Sequence, residues 1–516
     1  MRRPIPIFYN ALMLTGADLL LRLISTAFQV FLSGTIGAAG IGLLQLVLSV
    51  GGLTVTAGMA GIRTATMYLT AHQLGRDKPG GVIWILSGAC GYSLLCSAAV
   101  GASVYVLAPL IAARWIGAPT AVHAVRLLAA FLPVSCLCGV MTGYFTAAAR
   151  IGTLATVEVT ERLCSMAVTV VALRFWAGTD PGKACVAVIC GSCVGSVLTL
   201  LCLVSLRLRE RPPRGPRLPV VRPMLSAALP LALGDDLKVG INTLENLMVP
   251  RRLALYHGAE DPLALFGTVC GMVFPVLMFP AAILFGLTEL LIPEMARCAA
   301  AGSRDRISYL TRRTLRTALL YGACSGSILY LIAPELCMAL YDSPEAGIHL
   351  RRFATLTVML YCDIVTDAMI KGLGQQKISV RYNILTSAMD VALLFLLLPT
   401  YGMEGYFFSF LITHLVNFAL SLRRLLKITG HRISLHIPLL TLTTAVLSVY
   451  LSLPFPSPTL RICAFLPLLL SLLTLTGVLS KEDLQWLQNL LKRPSATPTV
   501  ATLAPPPGEL SQQSRG

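Results

Sequence analysis

The stretch VIWILSGACGYSLLCSAAVGASVYVLAPLIA, residues 82–112, runs its whole length without an Asp, Glu, Lys or Arg. A run of about 18 or more such residues is long enough to cross a bilayer as a helix, because a helix satisfies all its own backbone hydrogen bonds and needs no water. Comparable runs occupy 5–33, 39–70, 121–149, 153–177 and 184–206 before the next polar interval. They resume at 223–250, 262–296, 308–333, 347–371, 378–399, 402–426, 432–453 and 459–479. The pattern predicts an all-α, polytopic membrane protein of about fourteen transmembrane helices. Several runs exceed the roughly 20 residues a crossing needs, so tilted or kinked helices are expected. The composition agrees: 55% of residues are hydrophobic, only 13% are charged, and the mean hydropathy is +0.75.

The connections carry an asymmetric charge. One side receives Arg2, Arg3, Arg76, Lys78, Arg150 and the series Arg207, Arg209, Arg211, Arg214, Arg217, Arg222. It also receives Arg304, Arg306, Arg312, Arg313, Lys371, Lys377, Arg381, Arg423, Arg424, Lys427 and Arg432. The other side has Arg114, Lys183, Arg251, Arg252 and Arg461, with Arg351 and Arg352 just inside a helix start. Basic residues stay on the cytoplasmic side, which predicts a multi-pass protein of the cell membrane with both termini cytoplasmic. The net charge of +17 is then mostly topology, with some attraction to anionic lipid head groups, and calls for no nucleic acid. Arg2 and Arg3 resemble the start of a signal peptide, but Asp18 and Arg22 interrupt the run that follows and no small-residue cleavage site closes it, so the segment reads as the first crossing.

The expected organisation is an N-terminal six-helix lobe (1–206), a basic cytoplasmic hinge (207–222), a C-terminal six-helix lobe (223–427) and an extra transmembrane pair (428–480). A last segment, 481–516, starts as an interfacial helix around Trp486 and continues past Pro494 as a Pro-, Ser- and Thr-rich disordered tail. Fifteen cysteines fall mostly singly inside the apolar runs. The closest pairs, Cys136/Cys138 and Cys190/Cys193, have no neighbouring His and read as small buried hydrophobes rather than ligands. No metal site, cofactor, phosphate loop or catalytic constellation is expected, so the chain is not read as an enzyme; anything it moves is driven by a gradient or by the cargo itself.

Ionisable residues inside the apolar runs are costly and must pair or face a wet cavity. Asp18, Arg22, Ser25 and Gln29 share one face of the first helix. Asp18 and Arg22 either neutralise each other as an i,i+4 pair or leave Arg22 as a cavity cation. Arg63 either snorkels to the interface or faces inward beside Arg22. Glu158, Glu161 and Arg162 cluster on the fifth run, with helix pairing and cargo contact both open. The second half is acidic instead: Asp235, Asp236, Glu245, Glu289, Asp363, Asp367 and Asp390, opposed well inside the bilayer by Lys238. Asp363 and Asp367 share a helical face that Lys371 continues, and like charges so placed mark a candidate H⁺ or Na⁺ coupling site. Asp235, Glu245 and Asp390 join that candidate set; a set of groups near water or paired with Lys238 is the structural alternative.

The halves correspond in register. Residues 31–46 join runs one and two as 252–267 join runs seven and eight, and 143–150 correspond to 371–377. In order along the chain come Gly37-Ala-Ala-Gly-Ile-Gly-Leu-Leu-Gln-Leu46, Leu229-Pro-Leu, Leu247-Met-Val-Pro-Arg-Arg-Leu253 and Phe266-Gly-Thr. Leu291-Ile-Pro-Glu-Met295, Gly372-Leu-Gly-Gln-Gln-Lys377 and Leu398-Pro-Thr-Tyr-Gly402 follow. With these motifs the chain resembles, over about residues 8–427, the stage V sporulation protein B group of oligosaccharide flippases, within the superfamily that includes MATE exporters and MurJ-type lipid II flippases. The resemblance implies a MATE-like two-lobed bundle of two six-helix repeats, with Arg22 as the cation for a lipid diphosphate and Glu161 as a family acid. Two departures stand out: Arg63 replaces the usual proline of a Gly-Ile-Pro, and Asp235-Asp236-x-Lys238 replaces a Ser- or Asn-rich stretch. The implied activity is flipping a polyprenyl-diphosphate-linked saccharide, such as a peptidoglycan precursor, to the outer leaflet during envelope or spore-cortex synthesis. A cation-coupled exporter of small organic cations and a non-transporting scaffold for envelope synthesis are the alternatives. Partners are the lipid-linked saccharide, membrane lipids and H⁺ or Na⁺; the sequence leaves oligomeric state open.

Overall fold

The computed structural model describes residues 7–75, 79–148, 150–177, 180–209, 221–258, 260–430, 434 and 436–479, and they are helical almost throughout, with no strand among them. Sixteen α-helices follow in order: α1 (Ile7–Met59), α2 (Ile62–Gly75), α3 (Val82–Leu110), α4 (Val122–Ala147), α5 (Ile151–Ala172), α6 (Pro181–Arg209), α7 (Val221–Leu253) and α8 (Pro262–Phe266). After them come α9 (Phe274–Met278), α10 (Ala281–Ala300), α11 (Arg304–Tyr341), α12 (Pro344–Ala354), α13 (Thr357–Gly372), α14 (Gln376–Thr429), α15 (His436–Ser452) and α16 (Pro458–Leu475). Wider π-helical turns extend α3 and α5 and join α8 to α9 across Gly267–Val273. The expected interfacial helix and tail, most of the basic hinge, Arg2, Arg3, Arg76 and Lys78 lie outside the described residues.

Seven of the described helices are long and apolar enough to cross a membrane, or up to nine if each of two bent pairs is one crossing. That criterion does not reach the expected fourteen, for physical reasons. Helices α1 and α14 have 53 and 54 residues, each about 80 Å of helix and more than twice the hydrocarbon thickness. Helices α5 and α7 carry charges in every membrane-length window, and α15 has only 17 residues. The bent pairs are α8–α9 with α10, turning by 61°, and α12 with α13, turning by 57°.

Both long helices break at a glycine, close to where the sequence predicts a connection. Gly37 has φ 70° and ψ 176°, and Gly402 has φ 56° and ψ −134°, conformations that only glycine adopts without strain. At Gly402 a Cβ would also lie 2.8 Å from the ring of Tyr256. Gly402→Ala is therefore expected to destabilise by about 1–3 kcal/mol, read as a lowered thermal midpoint in detergent. Gly34→Ala, in the helical part of α1 with nothing near its Cβ, should be neutral or slightly stabilising.

The chain forms two compact units: Met1–Glu289 with Leu336–Leu350 and Val380–Val416, and Leu290–Glu335 with Arg351–Ser379 and Asn417–Gly516. In the first, α3 packs along α4, α5 along α6, and α1 beside α7 and the 262–273 segment. Ile62, Val82, Val140, Phe145, Leu203 and Ala228 are at the centre of one of its cores. In the second, α15 and α16 pack against α11 through Ala323, Leu331, Ala445, Phe465 and Leu469. Arg461 fastens the start of α16 to α11, donating to Glu335 at 2.7 Å and to the Leu331 carbonyl at 3.2 Å.

Candidate functional site

The candidate side chains fall into three groups. The first lies on α1. Arg22 is exposed, and its guanidinium carbon sits 4.5 Å from the centroid of the Phe285 ring on α10. Seven residues on, and so on the same helical face, Gln29 donates through Nε2 to the Gly271 carbonyl at 3.1 Å. Asp18 is on α1, but its side chain lies outside the described residues. Arg22 makes no ion pair among the described residues, so its positive charge rests on an aromatic face, a contact worth about 0.5–1 kcal/mol at an exposed site.

Arg63 is the second residue of α2, just after a break at Ala60 and Gly61, both at positive φ. It is exposed and has no carboxylate partner among the described residues. Glu161 is placed differently: its Oε2 accepts from Thr199 Oγ1 on α6 at 2.9 Å, a bond that ties α5 to α6. The structure therefore brings Arg22 and Gln29 onto one face, and places Arg63 and Glu161 on other helices without direct contact to them.

The second group is buried in the same unit. Asp390 on α14 accepts from Ser409 Oγ at 2.5 Å and from Thr413 Oγ1 at 3.4 Å. The carboxyl of Glu245 on α7 lies beside it. Tyr406 Oη and Cys270 Sγ, 3.7 Å apart, complete the surround. The fold at Gly402 returns the second half of α14 alongside the first, which is why residues 19 and 23 positions on meet Asp390. Two carboxylates placed together away from water repel each other, which makes the pair a candidate ion-coupling site. Helix α7 is held in place by α1: Asn246 Nδ2 donates to Ser49 Oγ at 2.9 Å, and Thr243 Oγ1 to the Ser49 carbonyl at 3.1 Å.

The third group belongs to the second unit. Asp363 Oδ2 accepts from Asn417 Nδ2 at 3.0 Å, and its Oδ1 is buried without a hydrogen-bond partner among the described residues. Asp367 accepts from Ser379 and pairs with Lys371 at 2.5 Å. The two aspartates on one face thus have separate partners. Asp235 and Lys238 are exposed and do not pair with each other among the described residues, whereas Asp236 keeps one oxygen buried without a partner. Sequence reasoning missed Ser409, Thr413, Tyr406, Cys270, Ser379 and Asn417. The i,i+4 spacing of Ser409 and Thr413 in an apolar run was the one available signal.

A close approach completes the geometry. A methyl group on Gly42 would overlap the Leu263 carbonyl, and one on Gly267 would overlap the Ala38 carbonyl and stand 2.6 Å from Gly42 N. Helix α1 beyond its kink therefore meets the 262–273 segment backbone to backbone, and Gln29 fastens the same segment one turn further on.

Residues 85–285 match the family model described as polysaccharide biosynthesis protein. Stage V sporulation protein B of Bacillus subtilis (strain 168) is 20% identical over 408 residues, 77% of this chain and 79% of that protein. An inward-facing MATE-family multidrug resistance transporter of the MOP superfamily aligns over 82% of this chain and 100% of its own, with TM-score 0.63 and 16% identity. The lipid II flippase MurJ, in its inward closed conformation, aligns over 93% of this chain and 100% of its own, with TM-score 0.63 and 11% identity. The chain is a multi-pass membrane protein with the fold of MATE transporters and MurJ, and its sequence is similar to the polysaccharide biosynthesis proteins and to stage V sporulation protein B.

Proposed function

We propose that the protein is a flippase for a polyprenyl-diphosphate-linked saccharide, moving it from the cytoplasmic to the outer leaflet by alternating access. The observation that carries this reading is Arg22, an exposed guanidinium on α1 resting on Phe285 and paired with no described carboxylate. A guanidinium forks onto two phosphate oxygens, which suits a diphosphate better than it suits an organic cation. Arg63 adds a second positive group on α2. The saccharide crosses in the wet interior while the polyprenyl tail stays in lipid, so no sugar hydroxyl meets hydrocarbon unsatisfied. Similarity to a lipid II flippase and to polysaccharide biosynthesis proteins supports this substrate class. Each kinked long helix is read as two crossings, which gives two six-helix repeats, a C-terminal pair and cytoplasmic termini.

The test is native mass spectrometry of protein extracted gently from its host membrane, beside an Arg22→Ala/Arg63→Ala double variant. A bound mass matching a polyprenyl-diphosphate saccharide, depleted in the folded variant, is the expected result. Phospholipid alone, equal in both proteins, moves the assignment to the second reading.

That second reading, a cation-coupled exporter of small organic cations, is favoured by the Glu245–Asp390 pair. In either reading the pair is the coupling site, with Asp363 and Asp367 as further acidic positions. Transport by reconstituted protein is expected to rise with an inward H⁺ or Na⁺ gradient, and Glu245→Gln/Asp390→Asn should run at the gradient-free rate whichever ion is offered. A double variant that still follows the gradient would move coupling to Asp363 and Asp367.

A further inference from the structure

The second unit holds a cavity of about 370 Å³ between α11, the bend joining α12 to α13, and α15. That volume lies within the usual range of small-ligand sites. Its wall is apolar, with Ala323, Tyr330, Val358, Ala445, Val449 and Tyr450 among the lining residues. The cavity opens sideways: on α15, Val446 is 68% and Tyr450 72% exposed. In a membrane-crossing chain, the flank of an apolar helix faces hydrocarbon rather than water. A mouth at that level admits an acyl chain, whereas water would find few polar partners inside.

A second observation supplies the head group. The Arg351 guanidinium carbon lies 4.5 Å over the ring of Tyr330, one of the residues that line the cavity. Its Nε is buried and has no hydrogen-bond partner among the described residues. The acid nearest in the sequence of α11, Glu335, is held by Arg461 at 2.7 Å. A cation stacked on the cavity wall with no carboxylate partner among the described residues calls for an anion, and a guanidinium is best satisfied by phosphate.

We propose that this cavity is a resident site for one anionic phospholipid, with an acyl chain between α11, α13 and α15 and its phosphate on Arg351. The bound lipid staples α15, the first helix of the C-terminal pair, to the rest of its unit. The site uses no residue assigned above to cargo or coupling ion, and it stands whichever transport reading holds.

The test uses the full chain, delipidated in detergent and titrated in native mass spectrometry with phosphatidylglycerol or with phosphatidylcholine of the same acyl chains. Wild type should keep one tightly held phosphatidylglycerol, preferred about five-fold over phosphatidylcholine, the size expected for one guanidinium at a lipid head group. Arg351→Gln should abolish the preference while keeping a single adduct. Ala445→Phe, which fills the cavity, should remove the adduct. Should Ala445→Phe not fold, Tyr330→Trp gives an independent reading: phosphatidylglycerol with brominated acyl chains should quench the added tryptophan. Equal binding of the two lipids to wild type, an unchanged preference in Arg351→Gln, or unquenched fluorescence in Tyr330→Trp each overturns the proposal. Displacement of the phosphatidylglycerol by equimolar polyprenyl phosphate also overturns it, assigning the cavity to an isoprenoid tail.

Discussion

Gly267→Val is expected to abolish transport while leaving the protein folded and in the membrane. The site of the change has no side chain that can give way: a Cβ on Gly267 overlaps the Ala38 carbonyl and approaches Gly42 N to 2.6 Å. Overpacking usually costs about 1–3 kcal/mol when neighbours can re-rotamer. Here the neighbours are backbone, and the relief available is separation of α1 from the 262–273 segment. In the proposed alternating-access cycle that contact is the outer closure, since in the proposed topology α1 kinks there and α7 has just emerged. A bias of about 3 kcal/mol moves a two-state equilibrium more than a hundred-fold, enough to hold the chain open to the outside and stop the cycle. Cys270 reports the change without an engineered cysteine, because it sits in the same π-helical turn against Tyr406. Its alkylation by a membrane-impermeant maleimide, mapped by mass spectrometry, should rise in Gly267→Val. Gly52→Val, on α1 with nothing near its Cβ, should transport and label like wild type. Unchanged transport together with unchanged Cys270 labelling would show that the close approach is no part of the cycle.

The sequence was most legible where hydropathy alone decides structure. Residues 82–112 appear as α3 with its short π-helical extension, and the interruptions read at 33–39 and 399–402 contain the kinks at Gly37 and Gly402. The i,i+4 relation of Asp367 to Lys371 was likewise available, because one helix carries both and the spacing sets their contact. What could not be read is the set of partners that come from other helices. Phe285 beneath Arg22 is 263 positions away along the chain, and Glu245 reaches Asp390 only because two helices from distant segments lie together. Ser409 and Thr413 look like ordinary membrane-helix residues that return their hydroxyls to the preceding turn. Both also point at Asp390, and that follows from the reversal at Gly402 rather than from any local preference. Glu161 shows the converse. Its charge in an apolar helix left helix pairing and cargo contact open, and its visible partner is Thr199 on the neighbouring helix.

Arg22→Ala is expected to weaken binding of polyprenyl diphosphate by about ten- to a hundred-fold, the loss of hydrogen bonds to a charged group worth about 1.5–3 kcal/mol. Stability should hardly move, because the guanidinium is exposed and its described contact is the Phe285 ring. Arg22→Lys separates charge from shape. An ammonium keeps the attraction but cannot fork onto two oxygens, so it should fall between wild type and alanine. Arg63→Ala, on a different helix and without direct contact to Arg22, should add its own loss, and the two losses should combine non-additively if both groups meet the same diphosphate, because they then share a partner. The measurement is a titration of the purified chain with polyprenyl diphosphate, with polyprenyl monophosphate alongside. A site built for two phosphates should discriminate between them in wild type and lose most of that discrimination in Arg22→Ala. Equal affinity for both lipids in wild type, unaltered by either substitution, would leave Arg22 a surface cation and favour organic cations, drawn by the Glu245–Asp390 pair, as the cargo.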